Sequence, residues 1–154
     1  MPQPLLRVRA SLDLTWHYAA GSHFTRFFEA LRDDGLILAL RCPACRRVYL
    51  PPRPVCGNCF RRMEEWVPVG PQGTLRAFTV VHFPFLDPTT GQPRPVPFGM
   101  GLIQLDGADT TLNHFLRMPE ATQPPLALGA RVRAVWRADR RGAIDDIVHF
   151  EVMP

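Results

Sequence analysis

Among the 154 residues of this chain, those best suited to chemistry are four cysteines, all lying between positions 42 and 59. They form two C-x-x-C pairs, Cys42-Pro-Ala-Cys45 and Cys56-Gly-Asn-Cys59, separated by ten residues. A tight turn lets both sulfurs of a pair face one ion, and the returning backbone brings the second pair round to complete a tetrahedron. Thiolates are the soft donors that such a site needs. Four of them close the coordination sphere and leave no position for water, so the spacing predicts a structural Zn²⁺ rather than a catalytic one. The same ligands can chemically hold an electron-transfer iron, although such sites usually space their pairs further apart. A redox C-x-x-C would need an exposed pair on a βαβ unit, which the pattern lacks. Gly57 is expected to ease the turn of the second pair. With every cysteine committed to metal, no free thiol remains as a nucleophile.

Other chemistry is sparse. The chain contains no G-x-S-x-G elbow, phosphate-binding glycine loop or H-E-x-x-H helix. Its five histidines, 17, 23, 82, 114 and 149, are scattered. Asp145-Asp146 has the composition of a carboxylate pair, but adjacent strand residues face opposite sides, so a solvated turn is the expectation. No catalytic residue is therefore assigned. All 18 basic residues are arginine, which reads as a coding bias more than as selection for guanidinium chemistry. The formal charge of +4 falls to about +2 once a zinc tetrathiolate is counted. No apolar run reaches 18 residues and no secretory leader is evident, so the chain is expected in the cytoplasm, away from membranes. Four cysteines in a reducing compartment again favour metal over disulfides.

Three units are expected to position these residues. Residues 1–35 hold an alternating arm, Leu12, Leu14, Trp16 and Tyr18, followed by a helix. Phe24, Phe27, Phe28 and Leu31 share one face of that helix, with Ser22 as N-cap and Gly35 just past the end. Residues 36–70 form the cysteine unit, opened by a strand over 36–41. Residues 71–154 read as all-β, with strands expected over 74–83, 98–105, 110–117, 130–137 and 144–152. Val132, Ala134 and Trp136 alternate with arginines, and Val148, Phe150 and Val152 alternate with Ile147, His149 and Glu151. Five short strands fit a five-stranded barrel of the OB type. Asp106-Gly107-Ala108-Asp109 is a hairpin turn, and the 84–97 connection carries five prolines.

The fold class is thus mainly β with a short N-terminal helical region. OB barrels present ligands beside the loops joining strands one to two and four to five. Those loops bring Phe83, Phe85 and Phe98 toward Arg137, Arg140 and Arg141. Aromatic rings beside guanidinium groups suit an adenine with its phosphate, and equally an acidic, apolar protein surface. A core role for the phenylalanines with solvated arginines fits the same residues. Trp16 and Tyr18, on an amphipathic arm, are expected to pack on a partner or a second copy.

The order of motifs carries more than any one of them. Phe27-Phe-Glu-Ala-Leu31, Cys42-x2-Cys45, Pro51-Pro-Arg53, Cys56-x2-Cys59, Trp66, Gly73-Thr74, Thr79-Val-Val-His82 and Leu128-Gly129-Ala-Arg-Val132 together resemble the domain-of-unknown-function-35 family over residues 13–152. The resemblance implies a helical hook, a rubredoxin-like zinc ribbon on Cys42, Cys45, Cys56 and Cys59, and an OB-fold barrel. It further implies an accessory subunit that accompanies a thiolase-like enzyme or an enoyl-CoA hydratase chain, with acyl-CoA contact and a hetero-oligomeric state. Acyl transfer, thiolysis and retro-aldol cleavage, including that of steroid side chains, are the reactions of such partners. A single-stranded nucleic-acid module is the alternative, since residues 41–62 hold six arginines and no acid.

Overall fold

A computed structural model describes residues 19–87, 91–120 and 125–154; Trp16 and Tyr18 lie outside the described residues. Helix α1 spans Gly21–Asp33 and buries Phe27, Ala30 and Leu31. It starts two residues earlier than an N-cap at Ser22 would set it. Ala20 takes the N-cap position with no side-chain cap, and Ser22 instead lies within the first turn, its hydroxyl 3.4 Å from the His23 ring. The C-terminal end is as the spacing predicts: Gly35 adopts φ +65°, and the Leu36 N–H donates to the Ala30 carbonyl at 3.1 Å.

The cysteine unit is a three-stranded antiparallel sheet in the order β2-β1-β3, from β1 (Ile37–Arg41), β2 (Val48–Tyr49) and β3 (Glu65–Val69). The barrel closes in the order β4-β5-β6-β8-β7, from β4 (Gln72–Val81), β5 (Phe98–Leu105), β6 (Leu112–Leu116), β7 (Arg131–Trp136) and β8 (Ile147–Val152). β6 and β8 run parallel, and β4 pairs with both β5 and β7. The protein is therefore mainly β, a cysteine-bearing ribbon followed by a closed five-stranded OB-type barrel.

Two details of the last strand differ from the sequence pattern. Ile144–Asp146 forms a 3-10 turn ahead of β8 rather than its first residues. A register shift then sets Val135 opposite His149 but Trp136 opposite Ile147. The extra residue, Val148, is left exposed while both Ile147 and Phe150 turn inward, so the expected Val148-Phe150-Val152 face does not form. A bulge of one residue inverts the alternation on its far side.

Helix, ribbon and barrel share one apolar core. Phe27 and Leu31 of α1, Ile37, Val48 and Leu50 of the ribbon, and Leu75, Ile103, Val132 and Phe150 of the barrel belong to a single buried cluster. Polar contacts hold the same seam. The Asp109 carboxylate accepts from the Val48 N–H at 2.8 Å, and the Thr110 hydroxyl accepts from the Leu50 N–H at 2.7 Å and donates to the Leu50 carbonyl at 2.8 Å. The Asp106–Asp109 turn is thus a docking point for edge strand β2.

Gly73 sits where β4 crosses β5 so closely that an added Cβ would lie 2.5 Å from the Gln104 carbonyl oxygen. Gly73→Ala is expected to cost about 2–3 kcal/mol, because backbone must move to admit the methyl. Gly57→Ala meets the flexible end of Arg53 at 3.3 Å and the Tyr49 side chain only at ordinary contact distance, 3.9 Å, and is expected to be nearly neutral. Thermal melts of the two variants check this contrast; equal shifts would contradict it.

Candidate metal centre and barrel cavity

The four cysteine sulfurs lie within 4.8 Å of one another. Cys42 Sγ stands 3.3 Å from Cys59 Sγ, and Cys45 Sγ stands 3.6 Å from Cys56 Sγ. These separations far exceed the ~2.05 Å of a disulfide and suit the edges of a tetrahedron built on Zn–S bonds of about 2.3 Å.

The two knuckles repeat one hydrogen-bond pattern. The Cys42 N–H donates to the Arg47 carbonyl at 2.8 Å, and the Arg46 N–H returns to the Cys42 carbonyl at 3.1 Å. The Cys56 N–H donates to the Arg61 carbonyl at 2.9 Å, and the Phe60 N–H returns to the Cys56 carbonyl at 3.1 Å. Reversing the chain so tightly requires a left-handed residue just after each pair, and Arg46 (φ +61°) and Phe60 (φ +55°) supply it. Gly57 does not have the positive φ that would make a glycine necessary, which corrects its expected role.

Around the sulfurs, Leu40, Tyr49 and Met63 are buried and Trp66 packs against them. Burial opposes ionisation of Cys56, but the Tyr49 hydroxyl, 3.3 Å from its sulfur, and the N–H groups of Cys59 and Asn58 outweigh it and bring the thiol down to about 5. The sulfur contact with Cys42, reinforced by burial, pushes the Cys59 thiol up to about 12. Metal binding requires all four as thiolates and releases their protons. The donor set fits a structural Zn²⁺ held by Cys42, Cys45, Cys56 and Cys59, closed to water.

A second feature lies at the barrel mouth. The connections β4–β5 and β7–β8 meet over a cavity of about 290 Å³, whose walls include Phe85, Arg94, His114, Phe115, Arg137 and Asp145. The Arg94 guanidinium pairs with Asp87 and lies 3.8 Å from the Phe115 ring centroid. Its Nε is buried with no hydrogen-bond partner among the described residues. Arg137 pairs with Asp145 at 2.8 Å. His114, on the inward face of β6, is 5% exposed. Its Nδ1 accepts from the Phe115 N–H at 2.9 Å, and its Nε2 is 3.3 Å from the Ile144 carbonyl. Burial holds its pKa below the usual histidine value, against the opposing pull of those backbone contacts.

The structure brings Phe85 and Arg137 together on this cavity, and Phe98 lies buried beneath Phe85 at a centroid distance of 5.6 Å. The remaining candidates point elsewhere. Phe83 is exposed and does not line the cavity. Arg140 turns back to α1, donating from Nε to the Arg32 carbonyl at 3.0 Å, and Arg141 pairs with Asp139 at 2.6 Å on the surface. Sequence reading missed Arg94, His114, Phe115 and Asp87. The alternation Leu112, His114, Leu116 carried a signal for His114, whereas Arg94 sits in a proline-rich loop without period.

Within the described part of the 84–97 connection, Leu86 is bridged antiparallel to Pro93 and the Arg94 N–H donates to the Phe85 carbonyl at 3.0 Å. Asp146 is not in a solvated turn. Fully buried, its carboxylate accepts from the N–H groups of Arg141 and Gly142, both at 2.7 Å, and of Ala143 at 3.2 Å. No helix among the described residues is long and apolar enough to cross a membrane.

Comparison with known proteins places these features in company. Residues 30–64 match the family described as ChsH2, rubredoxin-like zinc ribbon domain, and residues 66–137 match ChsH2, C-terminal OB-fold domain. A DUF35 domain-containing scaffold protein of Methanocaldococcus jannaschii is 25% identical over 127 residues, which is 81% of this chain and 84% of that relative. A DUF35-family protein of unknown function from Sulfolobus solfataricus superposes with a TM-score of 0.57 at 21% identity, over 75% of this chain and 78% of the other. A chain of the Ltp2-ChsH2(DUF35) aldolase superposes with a TM-score of 0.62 at 21% identity, over 88% of this chain and 98% of the other. At these identities the structural likeness is one of fold.

Proposed function

This chain belongs to the DUF35 family, in which a rubredoxin-like zinc ribbon precedes an OB-fold barrel, and from that premise we propose that it is a non-catalytic, acyl-CoA-associated accessory subunit of a thiolase-superfamily enzyme. The cavity between the two barrel loops is the observation that carries this reading. Its aromatic walls and its two arginines, each held in place by an aspartate, offer a flat ring and a phosphate their complementary surfaces. A pocket that swallows a drug-sized ligand runs to about 300–1,000 Å³; at about 290 Å³ this one holds only part of a CoA ester. The rest of the molecule would then lie on a partner, which supports a shared site in a hetero-oligomer. The described names of relatives agree in kind: one is a scaffold protein and another chain comes from an aldolase named for two components.

The partner in this reading is a thiolase-like enzyme, or an enoyl-CoA hydratase chain, working in the cytoplasm on acyl transfer, thiolysis or retro-aldol cleavage such as that of steroid side chains. Within the subunit we assign residues 1–35 to an arm and helix, 36–70 to the ribbon and 71–154 to the barrel. Calorimetric titration with acetyl-CoA tests the cavity. Arg94→Ala and Arg137→Ala are each expected to weaken binding about 10- to 100-fold, the loss of one charge-assisted phosphate contact. Unchanged affinity in both variants would remove the barrel mouth from the reading.

A further inference from the structure

The second zinc knuckle exposes a residue that neither the metal centre nor the barrel uses. Phe60 is 81% exposed, the most exposed of the large hydrophobic residues described. Its backbone is held left-handed at φ +55° by the Cys56 carbonyl bond. A bulky L-residue is strained in that conformation where glycine would not be. The ring returns nothing to the interior for that strain, because it is out in water.

Three arginines share the knuckle's surroundings. Arg61 follows Phe60 directly. Arg53 places its guanidinium 5.0 Å above the Tyr49 ring, and Arg47 stands beside the Tyr49 hydroxyl that touches Cys56 Sγ. Among the described residues none of the three makes a salt bridge, whereas Arg41 and Arg46 share Glu65 and Arg62 pairs with Glu64. Val55, bridged to Arg62, adds further exposed apolar surface at 45%.

We propose that this knuckle face is a docking surface, with Phe60 as anchor in an apolar pocket and Arg47, Arg53 and Arg61 forking carboxylates around it, and that its occupant is an acidic face of the thiolase-superfamily partner. An aromatic anchor ringed by arginines is the composition of an interface centre. A polyanion fits less well. Single-strand binding uses successive aromatic platforms, and the knuckle has one; the six arginines of residues 41–62 also stand against Glu64, Glu65 and the net −2 of a zinc tetrathiolate. The inference rests on the accessory-subunit reading and adds which surface does the docking.

Full-length protein co-expressed singly with each thiolase-superfamily chain of the source genome supplies the test, read as complex recovered and as Kd against salt. Phe60→Gly and Phe60→Asn, both compatible with a left-handed backbone, are expected to weaken the complex at least tenfold while zinc content and melting temperature hold or rise. R47Q/R53Q/R61Q is expected to weaken it and flatten its salt dependence. If the wild-type chain binds and both Phe60 variants bind equally well, the docking face is overturned and the accessory-subunit reading stands. If the wild-type chain binds no such enzyme, both fall. Oligonucleotide binding that the Phe60 variants abolish would reassign the face to nucleic acid and overturn the proposal, as would loss of zinc in those variants.

Discussion

Cys56→Ser is expected to reduce bound zinc from one per chain to below a tenth, and to remove the cooperative thermal transition of the whole chain rather than of the ribbon alone. Cys56 is buried completely and sits at the crossing of the local bonds: its sulfur faces the Tyr49 hydroxyl and the Asn58 N–H, and its backbone closes the second knuckle at both ends. Serine supplies a harder, far less acidic oxygen, so the site loses a quarter of its soft ligands. Structural zinc binding contributes about 10–16 kcal/mol in small metal-folded units, as large as the whole stability of an ordinary domain, about 5–15 kcal/mol. The damage does not stop at the ribbon, because Ile37, Val48, Leu50 and Val69 lie in the same core cluster as Leu75, Ile103 and Phe150. Strand β2 also holds the Asp109–Thr110 turn of the barrel. Elemental analysis with calorimetric melting reads both effects, and a strong chelator applied to the wild-type chain reproduces them. A barrel that melts at its usual temperature without zinc would show that the core is divisible.

Asp146→Ala is expected to lower stability by roughly 3–5 kcal/mol, a melting-temperature drop of about 10 °C in a chain of this size. The carboxylate is wholly buried and receives three consecutive backbone N–H groups, those of Arg141, Gly142 and Ala143. Alanine strands all three donors where water cannot reach them easily, at about 1–3 kcal/mol for each buried unsatisfied group, less whatever the loop recovers by opening. Opening has its own consequence. The bound loop carries Arg140 to the C-terminal end of α1 and holds Arg137 and Asp145 on the cavity wall. Acetyl-CoA affinity is therefore expected to fall together with stability. Asp146→Asn keeps an acceptor oxygen but turns an amide N–H₂ toward a donor-rich pocket, so about half of the loss is expected. A melting temperature within 2 °C of wild type for Asp146→Ala would mean that the loop holds itself.

These two residues mark the limits of what was readable in advance. Cys56 was identifiable from spacing alone, because metal ligation is a local constraint: two C-x-x-C turns have few other uses. Asp146 looked like half of a solvated acidic pair. Only the 3-10 turn at Ile144–Asp146 and the folding back of residues 141–143 make it a buried acceptor. Phe98 and Phe83 are a parallel case. Both flank the same loop and both are phenylalanine, yet one lies 9% exposed under Phe85 and the other 68% exposed.

The sequence by itself determined the helix face around Phe27 and Leu31, the metal ligands, the five barrel strands to within a few residues, and the family. Each of these is written in short-range periodicity or fixed spacing. Tertiary structure alone decided which arginines reach the barrel mouth, that a bulge at Val148 turns Ile147 inward, and that the left-handed knuckle residues are Arg46 and Phe60. The physical reason is common to all three. Side-chain destination depends on loop closure and strand register, set by contacts between residues far apart in the chain, and a one-residue shift reverses the face that every following residue presents.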